Sequence, residues 1–241
     1  MQERLKKLGY ISYSGSASGT YETKTATAVE KFQRTTGFKV NKKLATAAMQ
    51  QFLFSEEAPH YDVMTSTPSS VNGNPHKPTI GTVVNVDWYG SKKDYYFNSS
   101  TGIFKIGTIA TFVDIDTGIC YQVRRKGGSL HADFEPYTAF DTWQMFRTYK
   151  NKWSWDRRAV FVVVHVKGDE YVTIAASVNG MPHDTSYIMD NNVDGHFCCH
   201  FMNSKTHGTN KVDKDHQAMV KKAYNANVAA VQAKIDAQPE K

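Results

Sequence analysis

The sequence predicts an α+β protein in two parts: a small three-helix N-terminal domain (residues 1–54) and a β-rich mixed α+β domain (81–241), joined by a Pro/Ser/Thr-rich linker (55–80). Three observations predict it. Apolar residues in the first fifty or so positions recur at helical spacing. Between positions 55 and 78 the composition shifts to Pro, Ser, Thr, Asn and Gly, which marks an extended, turn-rich segment. Beyond it come apolar runs of strand length, separated by turn residues.

In the first part, Leu5 and Leu8 fall on one face of a short helix that Gly9 stops. A Ser/Gly/Ala loop covers 12–19. Thr25 reads as the N-cap of a second helix carrying Ala28, Val29 and Phe32 and ended by Gly37. A third helix starts near Lys43 and presents Leu44, Ala48 and Phe52 or Leu53. In the linker, Pro59, Pro68, Pro75, Pro78 and Asn72-Gly73 break any regular element, and His60 and His76 are read as solvated.

In the second part, strands are expected at 83–88, 107–114 and 119–125, with Asp116-Thr117-Gly118 as the hairpin loop between the last two. A helix is expected over 139–149, with Thr138 as N-cap and Asp141 near its positive end. The almost continuous apolar run at 160–166 fits a central strand, within which His165 reads as a core histidine. A strand at 171–178 follows the Lys167-Gly168-Asp169 turn. Asp213 caps a final helix carrying Ala218, Val220 and Ala223 and running towards Ile235. These strands belong to one mixed or antiparallel sheet system.

The formal charge of +6 favours anionic partners: nucleic acid, anionic membranes or phosphate-rich cell walls. The basic residues are scattered, with no arginine-rich run or recognition helix, which argues against nucleic acid. No apolar run is long enough to span a membrane, and the opening Met1-Gln2-Glu3-Arg4 is not a signal peptide. An odd cysteine count, three, argues against a disulfide framework and for a free thiol.

Chemistry concentrates between His183 and His207, which hold four of the nine histidines and two of the three cysteines. On a strand, His196, Cys198 and His200 share one face, and Phe197, Cys199 and Phe201 share the other. A thiol at its free pKa near ~8.5 needs an imidazole to become a nucleophile. His196 is two residues away, and a hairpin would bring back His183, with Asp184 or a backbone carbonyl orienting its ring. Cys120 and Cys199 read as buried, inert thiols. His131, Asp133 and Glu135 also share one strand face, which suits a metal or a general base. Zinc could be held by His131 and Asp133 with His183, His196 or His207, although no H-E-x-x-H helix is present. Otherwise the two acids pair with Arg124, Arg125, Arg157 or Arg158, or position a substrate amine. Trp153 and Trp155 read first as packing residues, but Trp155 and Arg158 could meet a sugar ring and a carboxylate. His200, Asn203 and His207 are placed to line a pocket after the cysteine strand, and His216 receives no role.

Two resemblances add to this reading. The stretches L-K-K-L-G-Y (5–10), G-T-Y-E-T-K-T-A-T-A-V-E-K-F-Q (19–33) and T-G-F (36–38) resemble the small three-helix peptidoglycan-binding module common in wall hydrolases, with Glu22 where glycine is usual. The resemblance implies binding of glycan strands or stem peptides, without catalysis, and makes Tyr10, Tyr21, Phe32 and Gln33 candidate contacts. His183-Asp184-Thr185 followed by Gly195-His196-Phe197-Cys198 is similar to the L,D-transpeptidase catalytic motif of histidine, a gap, then Ser/Thr-His-Gly-Cys. Here Gly195 replaces the hydroxyl residue, Phe197 replaces the glycine, and His200 stands where asparagine or arginine is usual. That likeness implies Cys198 as nucleophile, His183 as base and His196 as its helper. The resulting expectation is a bacterial or phage cell-wall protein, extracellular or wall-associated, that binds peptidoglycan and remodels it by cysteine acyl transfer without a cofactor. The alternatives are a zinc-dependent peptidase or amidase, with His131, Asp133 and His183 as ligands, and a non-catalytic wall-binding protein.

Overall fold

The computed structural model describes residues 1–36, 38, 40–41, 44–56, 58, 77–189 and 191–238. The expectations placed on Gly37, Lys43, Pro59, His60, Pro68, Asn72-Gly73, Pro75 and His76 lie outside them.

Three helices, α1 (Gln2–Lys7), α2 (Thr23–Thr36) and α3 (Ala47–Phe54), enclose a core of Leu5, Leu8, Tyr10, Val29, Phe32, Met49, Phe52 and Leu53. The predicted caps move. Helix α2 starts at Thr23, and Thr25 lies inside it, buried, accepting from Gln2 Nε2 at 2.7 Å. Helix α3 is capped by Thr46, whose side chain accepts from the Met49 amide, so Leu44 precedes the helix and is exposed.

The second part is a closed barrel. Its strands are β2 (Ile109–Asp114), β3 (Cys120–Gly127), β4 (Ala132–Pro136), β5 (Ser154–Lys167), β6 (Glu170–Gly180) and β7 (Phe197–His200). Every neighbouring pair in the ring β2-β3-β4-β7-β6-β5 is antiparallel. Closure rests on two pairings, Ser177 with His200 and Val178 with Cys199. The short β1 (Val83–Val84) lies parallel to β6 along the same edge, at Thr173 and Ile174. The expected long strand at 83–88 is thus reduced to this piece and a bridge from Asp87 to Met202. A short helix, α4 (Lys93–Phe97), was not anticipated.

The barrel interior is aromatic: Trp88, Phe97, Phe104, Phe112, Tyr121, Phe134, Phe197 and Phe201 pack with the valines of β5. Burying each such side chain is worth roughly 1.5–3 kcal/mol. The outer face of β2, β3, β5 and β6 is also covered, because Val113, Cys120, Phe161, Val163 and Ala175 pack under α6 (Lys214–Tyr224) and α7 (Val228–Asp236). Burial on both faces is why β5 reads as a continuous apolar run rather than an alternating one. His165 lies just past the buried part of that run, Val160 to Val164. It is exposed and bonds Gly168 O at 2.7 Å, which corrects its reading as a core histidine. The single expected C-terminal helix is two, since Asn227 caps the second.

Helix α5 (Ala139–Thr148) joins the parts. Thr138 caps it in a reciprocal box with Asp141, as its sequence predicts. Its Phe140 and Trp143 complete the core of the N-terminal helices, while Met145 belongs to the barrel interior.

Candidate active site

Strand β7 alternates as its sequence requires. Phe197, Cys199 and Phe201 enter the barrel core, and Cys198 and His200 take the opposite side. At β4 the same alternation puts Asp133 and His131, the residue just before the strand, on that polar side, and the register sets Asp133 directly opposite Cys198.

His183 is delivered by a short bridge rather than a strand. Its amide donates to His196 O at 3.0 Å, and the His196 amide returns a bond of 2.9 Å to His183 O. Gly195 makes this approach possible. It sits at φ +110°, and a Cβ there would lie 2.7 Å from His183 O. Glycine in place of a hydroxyl residue is therefore a demand of the backbone.

The His183 ring is fixed at both ends. Nδ1 donates to Met181 O at 2.9 Å, leaving Nε2 to accept from the Cys198 thiol at 3.3 Å. The orienting group is thus a backbone carbonyl, not Asp184. Trp155, half exposed, lies over the ring with centroids 5.2 Å apart, whereas Trp153 packs between Phe146 and Phe197.

The three thiols differ sharply. Burial raises all of them, but only Cys198 has partners that reverse the effect: His131 and His183 bring it down to about 7. Burial pushes Cys120 up to about 12 and Cys199 well above the usual range. His183 is raised, chiefly by its bond to Cys198. For His131, burial works against the charged form, yet Asp133 and Cys198 together lift it to about 10. Asp133 is lowered despite burial, by His131, His196 and His207.

The remaining candidates fall into place around this centre. His196 lies tilted beside His183 with centroids 4.8 Å apart. Its Nδ1 meets Lys126 Nζ at 3.1 Å, and burial lowers its pKa. It flanks the pair as a neutral ring. His200 is buried between His131 and His216, at 4.3 and 3.8 Å between centroids, and burial and its neighbours hold it neutral. His216, given no role from sequence, bonds Ser177 Oγ at 2.8 Å. His207 is exposed, with Nε2 3.8 Å from Asp133 Oδ1.

Several sequence assignments are corrected. Glu135 is buried, and both its oxygens accept backbone amides, from Tyr187 and Ile188, at 2.7 Å each, so it organises the 184–189 loop instead of meeting substrate. Arg158 is committed to Asp114 at 2.5 and 2.8 Å. Arg157 pairs with Asp213, and Arg125 with carbonyls of Phe97 and Phe104, so none of these three arginines partners Asp133 or Glu135. Asn203, at φ 62°, bonds Asp87 and Gln217 and serves as a turn residue. For a metal, His131 and Asp133 gather with His207 rather than with His183, whose Nε2 is taken by the thiol. In the helical module Tyr10 and Phe32 are core residues, with rings 5.1 Å apart, and buried Gln33 holds the following loop through Asn41 and Leu44. Of that set only Tyr21 is exposed. The neighbour that sequence reasoning did not assign to the thiol is His131. The signal was the matching alternation of H-A-D-F-E and H-F-C-C-H, two strands whose polar faces had to be paired first.

Residues 1–51 match the family model "Putative peptidoglycan binding domain". The match covers the first two helices and the third as far as residue 51, so the N-terminal unit is a peptidoglycan-binding module and gives the protein a cell-wall binding role. No curated protein and no solved structure matches the chain. Among the described residues, no helix is long and apolar enough to cross a membrane.

Proposed function

We propose that the barrel is a cysteine acyltransferase that remodels the stem peptides of the peptidoglycan its module binds. One observation carries the reading: Cys198 Sγ lies 3.3 Å from His183 Nε2, and the far side of that ring is anchored on Met181 O. An imidazole locked in one tautomer against a low-pKa thiol is what nucleophilic catalysis needs, and neither Cys120 nor Cys199 has it.

The chemistry is redox-neutral. Cys198 passes its proton to His183, and the thiolate attacks a stem-peptide carbonyl. The carbon–sulfur bond forms, the amide carbon–nitrogen bond breaks, and His183 returns the proton to the leaving amine. A second amine, or water, then attacks the thioester, gives its proton to His183 and releases the thiol. Trp155 offers an apolar plane over the His183 ring. A groove of about 560 Å³ between module and barrel, lined by Phe38, Trp153, Pro182, Met189 and Val193, reaches the residue that precedes His183 in the chain and favours a route from bound wall towards the thiol.

The test is mass spectrometry of muropeptides after incubating purified wall with wild-type protein and with Cys198→Ala. New cross-links or trimmed stems are expected from the wild type alone. Identical muropeptides from both, in protein that still sediments with wall, would sink the proposal and leave a wall-binding protein.

A further inference from the structure

We propose that His131, Asp133 and His207 form a transition-metal site of the zinc class beside the thiol, and that filling it silences Cys198. The second half rests on the cysteine reading above; the first half does not.

The geometry asks for a cation. His131 Nδ1 lies 2.7 Å from Lys205 O and donates to it, which turns Nε2 towards Asp133 Oδ1 at 3.2 Å. Both atoms are buried, and neither has a hydrogen bond of acceptable geometry among the described residues. An imidazole lone pair and a carboxylate oxygen cannot face each other bare. A proton on Nε2 stands between them in the metal-free protein, and a metal ion can take its place. His207 Nε2, 3.8 Å from the same Oδ1, completes a set of three donor atoms within 4.8 Å of one another.

The spacing suits zinc. Tetrahedral nitrogen and oxygen ligands at about 2.0–2.1 Å from the ion lie about 3.3 Å apart. The His131–Asp133 separation of 3.2 Å matches this, and the exposed His207 ring, at 3.8 Å, has to close in on the ion. The carbonyl that fixes His131 is the outer-shell partner expected of a metal-ligating histidine. Two imidazoles and one carboxylate suit zinc better than magnesium or calcium. Exposed His207 gives the ion a way in.

Occupancy would act on the cysteine directly. Cys198 Sγ lies within 4.8 Å of a His131 ring nitrogen, so the thiolate is in reach of a metal held there as its fourth ligand.

The test uses the full chain stripped with chelator and titrated with Zn²⁺ by calorimetry and with Co²⁺ by absorption. Iodoacetamide labelling of Cys198 is followed in parallel. One bound ion is expected, with a tetrahedral Co²⁺ spectrum and a sulfur-to-metal band, and zinc should protect Cys198 from label. In His207→Ala, which loses only an exposed ligand, the zinc needed for protection should rise about 10- to 100-fold. Absence of binding to wild type overturns the site, as does equal protection in wild type and His207→Ala. Binding lost in Cys198→Ala but intact in His207→Ala overturns the ligand set. Because these readouts need no wall, failure of acyl transfer and failure of the metal site are separate results.

Discussion

Cys198 and Cys199 are adjacent in the chain and opposite in chemistry: one touches His183, the other is sealed in the barrel core, and their pKa values move in opposite directions. The peptide unit between them is the boundary between site and core.

Thiol labelling should follow that boundary. In chelator-treated native protein, iodoacetamide should modify Cys198 with a midpoint near pH 7, because its thiolate forms as pH rises through about 7. Cys120, held at about 12, should stay unlabelled below pH 9, as should Cys199. Peptide mapping after labelling from pH 5 to 9 checks this. Label on Cys120 ahead of Cys198 would refute the assigned environments.

The two flanking histidines should separate in the same assay. His183→Ala removes the acceptor at 3.3 Å, so the midpoint should climb towards ~8.5 and labelling at pH 7 should slow about tenfold. Wall remodelling should fall by about 10²- to 10⁴-fold, the usual contribution of a positioned acid–base group. His196→Ala should leave the midpoint in place, since that ring lies tilted beside His183 and bonds Lys126. A midpoint shift for His196→Ala matching that of His183→Ala would return His196 to the thiol.

Gly195→Ala joins fold to site. The new Cβ would need a φ of +110° and would lie 2.7 Å from His183 O. The backbone strain alone costs about 1–3 kcal/mol, and relief requires His183 to move away from Cys198. Urea unfolding should show a lower midpoint, and the labelling midpoint of Cys198 should rise with it. A stable variant with an unshifted thiol would show that the close approach is not needed.

What was legible in the sequence followed local rules. The alternation in H-F-C-C-H-F separated Cys198 from Cys199, and the Thr138 and Asp141 spacing gave the cap of α5, because each depends on residues a few positions apart. Barrel closure was not legible, since it rests on Ser177 and Val178 meeting His200 and Cys199 across some twenty residues. The same holds for His131: only the β4–β7 register brings it to the thiol. Glu135 and Arg158 misled because an ionised side chain looks available in sequence, whereas here loop amides and Asp114 occupy them. Tyr10, Phe32 and Gln33 misled for a related reason. A small module spends most of its aromatic residues on its own core.

That last point gives a contrast within the binding module. Tyr10 is 2 % exposed and packs edge-on to Phe32, while Tyr21 is 46 % exposed at the turn before α2. Tyr10→Ala should cost about 3–5 kcal/mol, as truncating a buried aromatic does, and should weaken wall binding only by loosening the module. Tyr21→Ala should change stability by no more than ~0.5 kcal/mol, as surface substitutions do, yet release protein from purified sacculi in a sedimentation assay. Measuring unfolding and sedimentation on both variants separates core from contact. If Tyr21→Ala binds wall like the wild type, the glycan is met elsewhere on the module, and the groove that runs from Phe38 to Pro182 becomes the surface to mutate next.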